Sequence, residues 1–331
     1  MYTAMQKISY VIPCYRSQHT VGGVVAEIAA TMQTMPQYDY EVILVNDCSP
    51  DNTIGTIRSL VAADPHVLGV DLAKNFGQHA ALMAGFHKCS GDIVVCLDDD
   101  GQTPADEVGK LLERIDAGYD VVYAQRASRR DSLFKRVTAD AYYRVLRTVA
   151  EVDIPRDTGD FRLVSRRVID ALRRFPEHHR FMRGLVAWVG FRQTAVRFAR
   201  DERYAGETGY PLAKMLRFAS DGITSFSTFP LRVITAVGWL VFALSLVGIL
   251  YVLVNRLFGL GDQVPGWTFT IIVILGVGGI QIVMLSVLGS YLGRVYSEVQ
   301  RRPLYLVASH VGAPAPSTDS APVAPGEPPA R

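Results

Sequence analysis

Three consecutive carboxylates, Asp98-Asp99-Asp100, directly follow the apolar run 93–97. Carboxylates at this spacing repel one another unless a cation lies between them. Mg²⁺ and Mn²⁺ bind one or two carboxylates together with water and phosphate oxygens, which suits a nucleotide diphosphate. The same residues could instead form an acidic turn before a helix that Thr103 would cap. Position alone therefore leaves a metal site and a capping turn open.

The elements that must position this cluster follow an alternating pattern. Short β-branched runs alternate with segments of helical length, which predicts an α/β fold with a mainly parallel sheet flanked by helices. The predicted strands are 8–13, 41–46, 67–72, 92–97 and 120–124, and the predicted helices lie near 20–34, 53–63, 76–88 and 105–117. Ligands bind such sheets at the carboxyl ends of the strands. Polar clusters follow three of these ends, at 13–15, 46–49 and 98–100, and we expect them to meet.

Several common classes of site lack their motifs in this chain. No Gly-X-Gly-X-X-Gly follows the first predicted strand and no Walker lysine loop occurs, so a nucleotide would be held by side chains and a metal. His79 and His87 lack further ligands at zinc-site spacing. The four cysteines form no Cys-X-X-Cys pair and are expected to be ordinary thiols in a reducing compartment. A net charge of +2 on 331 residues does not indicate a nucleic-acid partner.

Two apolar runs near the C-terminus, 233–255 and 263–293, contain no charged side chain. At about 1.5 Å per helical residue the first run spans about 34 Å, which exceeds a hydrocarbon core of about 30 Å. We therefore predict two transmembrane helices at 232–256 and 267–293, joined by an external loop at 257–266. Basic residues lie before the first and after the second apolar run, and Arg256 is the only basic residue between the two runs. Both flanks are therefore expected in the cytoplasm.

The remaining chain divides around these helices. Residues 1–210 form the predicted cytoplasmic domain, because the first nine residues lack the pattern of a secretory signal. Residues 132–149 and 211–231 mix basic, aromatic and aliphatic side chains, which indicates either helices on anionic lipid or ordinary packing helices. Residues 294–307 are predicted to be a cytoplasmic segment. Residues 308–331, rich in Pro, Ala and Ser, are predicted to be a disordered tail.

Four motifs along the front domain resemble those of family 2 glycosyltransferases, which have a GT-A fold. They are Val11-Ile12-Pro13-Cys14-Tyr15, Val45-Asn46-Asp47-Cys48-Ser49-Pro50-Asp51-Asn52-Thr53, Asn75-Phe76-Gly77-Gln78-His79 through Gly85, and Leu97-Asp98-Asp99-Asp100-Gly101-Gln102-Thr103-Pro104. Further motifs at 157–163, 180–184 and 203–207, with the apolar runs, extend the likeness from residue 8 to about 307. The chain is most similar to the polyprenyl-phosphate branch, which includes bactoprenol glucosyltransferases, undecaprenyl-phosphate formamido-arabinose transferase and dolichol-phosphate mannose synthase.

The resemblance implies roles for individual residues. A Mg²⁺ or Mn²⁺ cofactor would be bound by Asp98 and Asp100. Nucleotide-sugar contacts would come from Pro13, Tyr15, Asp47, Ser49, Asp98 and Asp99. Catalytic roles would fall to Asp100, Gln102, Asp160 and Arg162. Lipid-phosphate contacts would come from Arg126, Arg129, Arg130 and Arg203.

Three of these positions carry alternatives. Asp47 would bind uracil or its ribose, or would act only as a turn former. Asp160 would orient the acceptor or sugar, act as a base, or pair with Arg162 or Arg166. A lipid phosphate has a second pKa of about 6 and needs little deprotonation, which favours the orienting role. Asp99 stands where relatives commonly have Ala, and would strengthen metal binding or face solvent.

The predicted activity is inverting transfer of a sugar from a nucleotide diphosphate sugar, expected to be a UDP-sugar, to a polyprenyl phosphate, expected to be undecaprenyl phosphate. It would take place at the cytoplasmic face of the bacterial inner membrane and yield a polyprenyl-phospho-sugar for envelope glycans or lipids. The resemblance further implies a homo-oligomer, a tetramer, and Gly289 and Gly293 are spaced for close helix packing. There are two alternatives, a processive polysaccharide synthase and an inactive membrane scaffold. The synthase is disfavoured because its motif, Gln-X-X-Arg-Trp, does not occur in the sequence.

The transferred sugar stays open in the sequence. Residues 75–86 and 131–135 resemble formamido-arabinose transferases, whereas 157–163 resemble glucosyltransferases. These two likenesses imply different donors.

Overall fold

The computed structural model describes residues 5–101, 105–126, 158–175, 182–198, 229–258 and 266–312. Its strands, β1 to β8 in chain order, are Gln6–Cys14, Tyr38–Asn46, Val67–Leu72, Ile93–Cys96, Val121–Arg126, Thr158–Ser165, Gln193–Phe198 and Val307–Val311. Its helices, α1 to α8, are Val21–Gln33, Thr53–Ala63, Gln78–Lys88, Val108–Asp116, Arg166–Arg173, Met182–Trp188, Phe229–Phe258 and Trp267–Val299. A 3₁₀ turn, Ala105–Glu107, precedes α4. The strands form one sheet in the order β7-β5-β6-β4-β1-β2-β3-β8.

The centre of the sheet is parallel, as the alternating pattern predicted. β3, β2, β1 and β4 are neighbours in parallel register, and α1, α2 and α3 connect them in the order of βαβ units. This confirms an α/β fold with a mainly parallel sheet. β6 was not predicted, and it lies antiparallel between β4 and β5. β7 joins β5 in parallel register on the far side, so this end of the sheet is mixed.

Two apolar layers cover the two faces of the sheet. Ile8, Tyr10 and Ile12 of β1 belong to the layer formed with α1, α2 and α4. Val11 belongs to the opposite layer, formed with α3, α5 and α6. Because successive side chains of a strand point to opposite faces, a central strand covered on both sides is mostly apolar. Buried polar groups inside such strands are hydrogen-bonded, and Ser9 Oγ of β1 donates to Glu41 Oε1 of β2 at 2.6 Å.

The contact between α3 and β1 is tight enough to test by substitution. A Cβ at Gly85 of α3 would overlap Val11 Cγ1. Gly85→Ala is therefore expected to lower the free energy of unfolding by about 1–3 kcal/mol, the usual cost of overpacking a core. Gly23→Ala in α1 is the matched control, because nothing lies within 4 Å of the Cβ it would add. That variant is expected to be stabilised by up to about 1 kcal/mol, since alanine favours the helix.

Denaturant unfolding of the full-length protein in detergent measures both variants. Equal effects of Gly85→Ala and Gly23→Ala would contradict the tight packing of α3 against β1.

The segment after α8 returns to the sheet, which corrects a predicted boundary. β8 pairs antiparallel with β3, with Val307 opposite Leu72 and Val311 opposite Gly69. β3 would otherwise expose the unpaired N–H and C=O groups of a sheet edge, and β8 covers them. The prediction of a disordered tail from 308 is therefore wrong for 308–311, whereas 313–331 lie outside the described residues.

α7 and α8 contain the two predicted membrane segments. Among the described residues, one helix is long and apolar enough to cross a membrane, namely α8 over Gly276–Val299, with a mean hydropathy of 1.5. α7 contains a shorter apolar stretch, Val233–Gly248. A second crossing therefore stays a proposal. α8 ends at Val299 rather than at the predicted 293, and most of the predicted external loop, 259–265, lies outside the described residues.

Candidate active site

Three loops meet at the carboxyl edge of β1, β2 and β4. Cys14 and Asn46 end neighbouring parallel strands in register, and Asp47 N donates a hydrogen bond to Cys14 O at 3.0 Å just beyond them. Leu97 N donates to Val11 O at 3.2 Å, which leads the chain of 98–101 to the same edge. The polar clusters at 13–15, 46–49 and 98–100 therefore meet, as the parallel topology predicted.

β5 and β6 bring two further predicted residues to this edge. β6 runs antiparallel to β4, so its first residues, 158–160, lie on the side where β4 ends. Asp160 is thereby placed at the edge that carries Asp98. β5 is antiparallel to β6 and therefore parallel to β4, and it ends there with Arg126. Both residues lie on the correct edge, although their side chains fall outside the described part of the structure.

The carboxylates of Asp98 and Asp100 are half-buried at the end of β4. Gln78 Nε2 donates to Asp98 Oδ1 at 3.1 Å, so the first turn of α3 faces the pair. Within the described ranges, no group of three or more His, Cys, Asp or Glu side chains could hold a metal. Two carboxylates alone fit a Mg²⁺ or Mn²⁺ ion that takes its other ligands from water and substrate phosphate. The pair therefore fits the predicted metal, whose binding stays a prediction.

Asp99 binds the loop after β1. Its Oδ2 accepts hydrogen bonds from Tyr15 N, at 3.0 Å, and from Ser17 Oγ. Burial raises the pKa of Asp99 above its ordinary value, with a smaller contribution from the charge of Asp100, while the hydrogen bonds from Ser17 and Tyr15 lower it. The structure therefore gives Asp99 a contact that neither predicted alternative, metal binding or solvent exposure, included.

The loop after β1 presents an exposed aromatic ring at the site. Tyr15 is 45% exposed, and the guanidinium carbon of Arg16 lies 5.6 Å from the centroid of its ring. Arg16 N donates to Ser49 Oγ at 3.1 Å, so the predicted contact residue Ser49 ties the first loop to the second. Pro13 is buried inside β1. Of the two residues predicted to border the base, Tyr15 has the ring that is available for stacking.

Asp47 is buried and organises a neighbouring loop. It is 3% exposed, and its Oδ1 and Oδ2 accept hydrogen bonds from Phe76 N at 2.7 Å and Gly77 N at 2.8 Å. The carbonyl oxygen of Asp47 also accepts a bond from Asn75 Nδ2 at 3.3 Å. Gly77 has a φ of 90°, a conformation that favours glycine. Asp47 therefore fixes the turn that leads into α3, and its predicted contact with uracil stays a prediction.

Arg162, one of the residues predicted to be catalytic, is buried. It is fully buried, at 0% exposure, in the middle of β6, where its backbone is paired with Cys96 and Tyr123. Burial raises the pKa of Tyr123 to about 12, and the charge of Arg162 acts in the opposite direction. The catalytic role of Arg162 stays a prediction.

Some predicted residues lie outside the described part of the chain, and two contacts were not predicted. Outside it are Gln102, Arg129, Arg130 and Arg203, together with the segments 132–149 and 211–228.

Ser17 and Gln78 were not singled out by the sequence, although each binds one of the consecutive carboxylates. Ser17 lies in the loop between β1 and α1, and Gln78 is the first residue of α3. Both are polar residues between a parallel strand and the next helix, which is the signal that could have found them.

This arrangement, an α/β sheet with an Asp-X-Asp at its carboxyl edge beside an exposed aromatic ring, is that of a GT-A-like enzyme fold. The chain belongs to glycosyltransferase family 2. Residues 9–173 match the family model described as glycosyl transferase family 2. The family inferred from the motifs is thereby confirmed, and the protein is a glycosyltransferase.

Relatives cover almost the whole chain. A Bacillus subtilis protein named uncharacterized glycosyltransferase YkcC is 40% identical over 305 residues, covering 92% of this chain and 94% of its own length. The SfII prophage-derived bactoprenol glucosyl transferase of Shigella flexneri is 37% identical over 310 residues, covering 93% of this chain and 100% of its own. Mannosyl-3-phosphoglycerate synthase from Rubrobacter xylanophilus, a solved structure, is 16% identical with a TM-score of 0.46, covering 79% of this chain and 78% of its own.

Proposed function

We propose that this glycosyltransferase moves one sugar from a UDP-sugar to undecaprenyl phosphate at the cytoplasmic face of the bacterial inner membrane. The observation that carries the proposal is the short connection between the apolar helix α8 and the candidate active site. Seven residues after Val299, the last residue of α8, Leu306 O accepts a hydrogen bond from Ala73 N at 2.9 Å. Ala73 directly precedes the loop 74–77 that Asp47 fixes. A donor site linked this closely to an apolar helix suits an acceptor whose tail lies in lipid.

The donor would lie across the carboxyl edge of the sheet. The exposed ring of Tyr15 would stack on the uracil base, because an aromatic face offers a large contact of low entropy cost. Asp98 and Asp100 would hold Mg²⁺ or Mn²⁺, which neutralises charge on the departing diphosphate. Gln78 contacts Asp98 from the first turn of α3 and would help to keep that carboxylate oriented.

The acceptor is a lipid phosphomonoester, whose second pKa of about 6 makes it mostly dianionic at neutral pH. One phosphate oxygen forms the new bond to the anomeric carbon while the bond from that carbon to UDP breaks on the opposite side. The configuration therefore inverts, and no strong base is required. Asp160 would orient the acceptor or the sugar. Arg126, whose backbone ends β5, would bind the lipid phosphate together with Arg129, Arg130 and Arg203.

The membrane anchor would consist of α8 and, as a second crossing, α7. Two basic residues lie near the C-terminal end of α8. Arg294 is within its last turns and Arg301 is just beyond it, which favours a cytoplasmic position for this end. A Cβ at Gly289 or Gly293 would meet no atom of the described residues within 4 Å. This side of α8 is therefore open to a helix from another copy, in line with the tetramer implied by the resemblance.

The relatives set the order in which substrates are tested. The name of the Shigella relative includes both bactoprenol and glucose, which supports a polyprenyl acceptor and makes UDP-glucose the first donor. Full-length protein in detergent would be given Mn²⁺, a panel of UDP-sugars, and either undecaprenyl phosphate or undecaprenol. Release of UDP is expected with the phosphate and not with the alcohol. Equal release with both lipids, or with neither, would contradict the proposal.

A further inference from the structure

Asp99 lies between the two carboxylates assigned to the metal, yet its contacts are with another loop. One oxygen, Oδ2, accepts hydrogen bonds from both Tyr15 N and Ser17 Oγ. The residues before and after Asp99 in the chain belong to the predicted metal and diphosphate site. Asp99 therefore joins that site to the loop that carries the exposed ring of Tyr15.

Ser17, one of the two partners of Asp99, is also hydrogen-bonded to the first residues of two helices. It is 1% exposed, and its N–H donates to Thr53 Oγ1 at 2.9 Å at the start of α2. The carbonyl oxygen of Ser17 accepts a bond from Val21 N at 3.1 Å at the start of α1. Ser17 is thereby a rigid anchor, and Asp99 holds both this anchor and the Tyr15 backbone.

We propose that Asp99 is a positioning residue that sets the place of the Tyr15 ring relative to the Asp98 and Asp100 carboxylates. The Asp99 carboxylate binds the loop that carries Tyr15, and it does not act as a third metal ligand. This inference rests on the proposed donor site. The donor site has two parts, the Tyr15 ring for the base and the carboxylate pair for the metal and diphosphate. Asp99 would fix the distance between these two parts.

The physical reason lies in the length of the donor. Uracil and the diphosphate are joined by a ribose, so the two ends of the nucleotide can be bound together only within a limited range of separations. A loop with a left-handed residue, Arg16 at φ 61°, is held in a less common backbone conformation. Hydrogen bonds to the residues on both sides of Arg16 keep that conformation in place, and Asp99 makes both of them.

Calorimetric titration of UDP into the full-length protein, with and without Mn²⁺, tests this role. Asp99→Ala is expected to weaken UDP binding by about tenfold under both conditions, since two hydrogen bonds to the loop are lost. The factor by which Mn²⁺ strengthens binding is then unchanged. Asp98→Ala, in contrast, is expected to remove most of that factor. Asp99→Asn is expected to retain affinity within about threefold, because its amide oxygen can accept both bonds.

Ser17→Ala provides the second arm if Asp99→Ala does not fold. It removes only the hydroxyl, and a loss of about threefold in UDP affinity is expected. Ser59→Ala on the exposed side of α2 is the matched control and is expected to bind UDP like the parent protein. Unchanged UDP affinity in both Asp99→Ala and Ser17→Ala, or a loss of the Mn²⁺ factor in Asp99→Ala, would overturn the inference. Absence of UDP binding by the parent protein would instead overturn the proposed function.

Discussion

Asp98→Ala and Asp100→Ala are each expected to lower kcat for sugar transfer by about 10³-fold, because the charge that develops on the leaving diphosphate loses its counter-ion. The protein should remain folded, since both side chains are only half-buried at the edge of the sheet. Initial rates of UDP release with undecaprenyl phosphate, at saturating Mn²⁺, measure the effect. Thermal unfolding of each variant checks the fold.

Asp106→Ala is the matched control for these two variants. Asp106 is an exposed carboxylate in the 3₁₀ turn beyond the cluster, and its loss is expected to leave kcat within about twofold of the parent, as for an ordinary surface change. If Asp98→Ala and Asp100→Ala behave like Asp106→Ala, the three carboxylates form an acidic turn and hold no metal. This outcome would restore the alternative that the sequence left open.

Asp47→Ala is expected to reduce both stability and turnover. The buried carboxylate accepts the N–H groups of Phe76 and Gly77, and without it both donors lose their partner inside the protein. We expect a loss of about 2–6 kcal/mol in the free energy of unfolding, at roughly 1–3 kcal/mol for each of the two unsatisfied groups. The loop 74–77 would then no longer be held beside the donor site, and kcat/KM is expected to fall by about 10²-fold.

Urea unfolding and steady-state kinetics on the same preparation separate the two roles of Asp47. Asp47→Asn keeps the shape of the side chain and one acceptor oxygen, so it should lie between the parent and Asp47→Ala in stability. A large fall in donor binding with unchanged stability would show that Asp47 contacts the nucleotide directly. That result would contradict the loop-fixing role.

The strands that the sequence predicted are those whose local composition already marks them as buried on both faces. β1, β2 and β4 contain buried apolar runs at 10–14, 42–45 and 93–96, and such runs can be recognised without knowing which strand lies beside them. β6 was missed because it begins with Thr158-Gly159-Asp160, and glycine and aspartate are poor strand formers. β8 was missed because it is five residues long and its partner, β3, lies more than 200 residues earlier in the chain.

In the site as well, the features that depend on local sequence could be predicted and the contacts between distant segments could not. The meeting of Tyr15, Asp47 and Asp98 at one edge follows from parallel strands alone, and it could be predicted. The partners of individual carboxylates could not, because they depend on which loop packs against which. Asp47 and Asp99 bind the backbone of neighbouring loops, and Arg162 is enclosed beside Tyr123. None of these contacts leaves a periodic signal in the sequence.

The mass of the lipid product shows whether the protein adds one sugar to a lipid phosphate, as proposed. Full-length protein in detergent would be incubated with undecaprenyl phosphate, Mn²⁺ and each UDP-sugar in turn, and the extracted lipid would be weighed by mass spectrometry. For one donor, we expect a lipid heavier than the acceptor by a single glycosyl residue. A ladder of products would indicate a processive synthase, and an acceptor of unchanged mass with every donor would rule out transfer to this lipid.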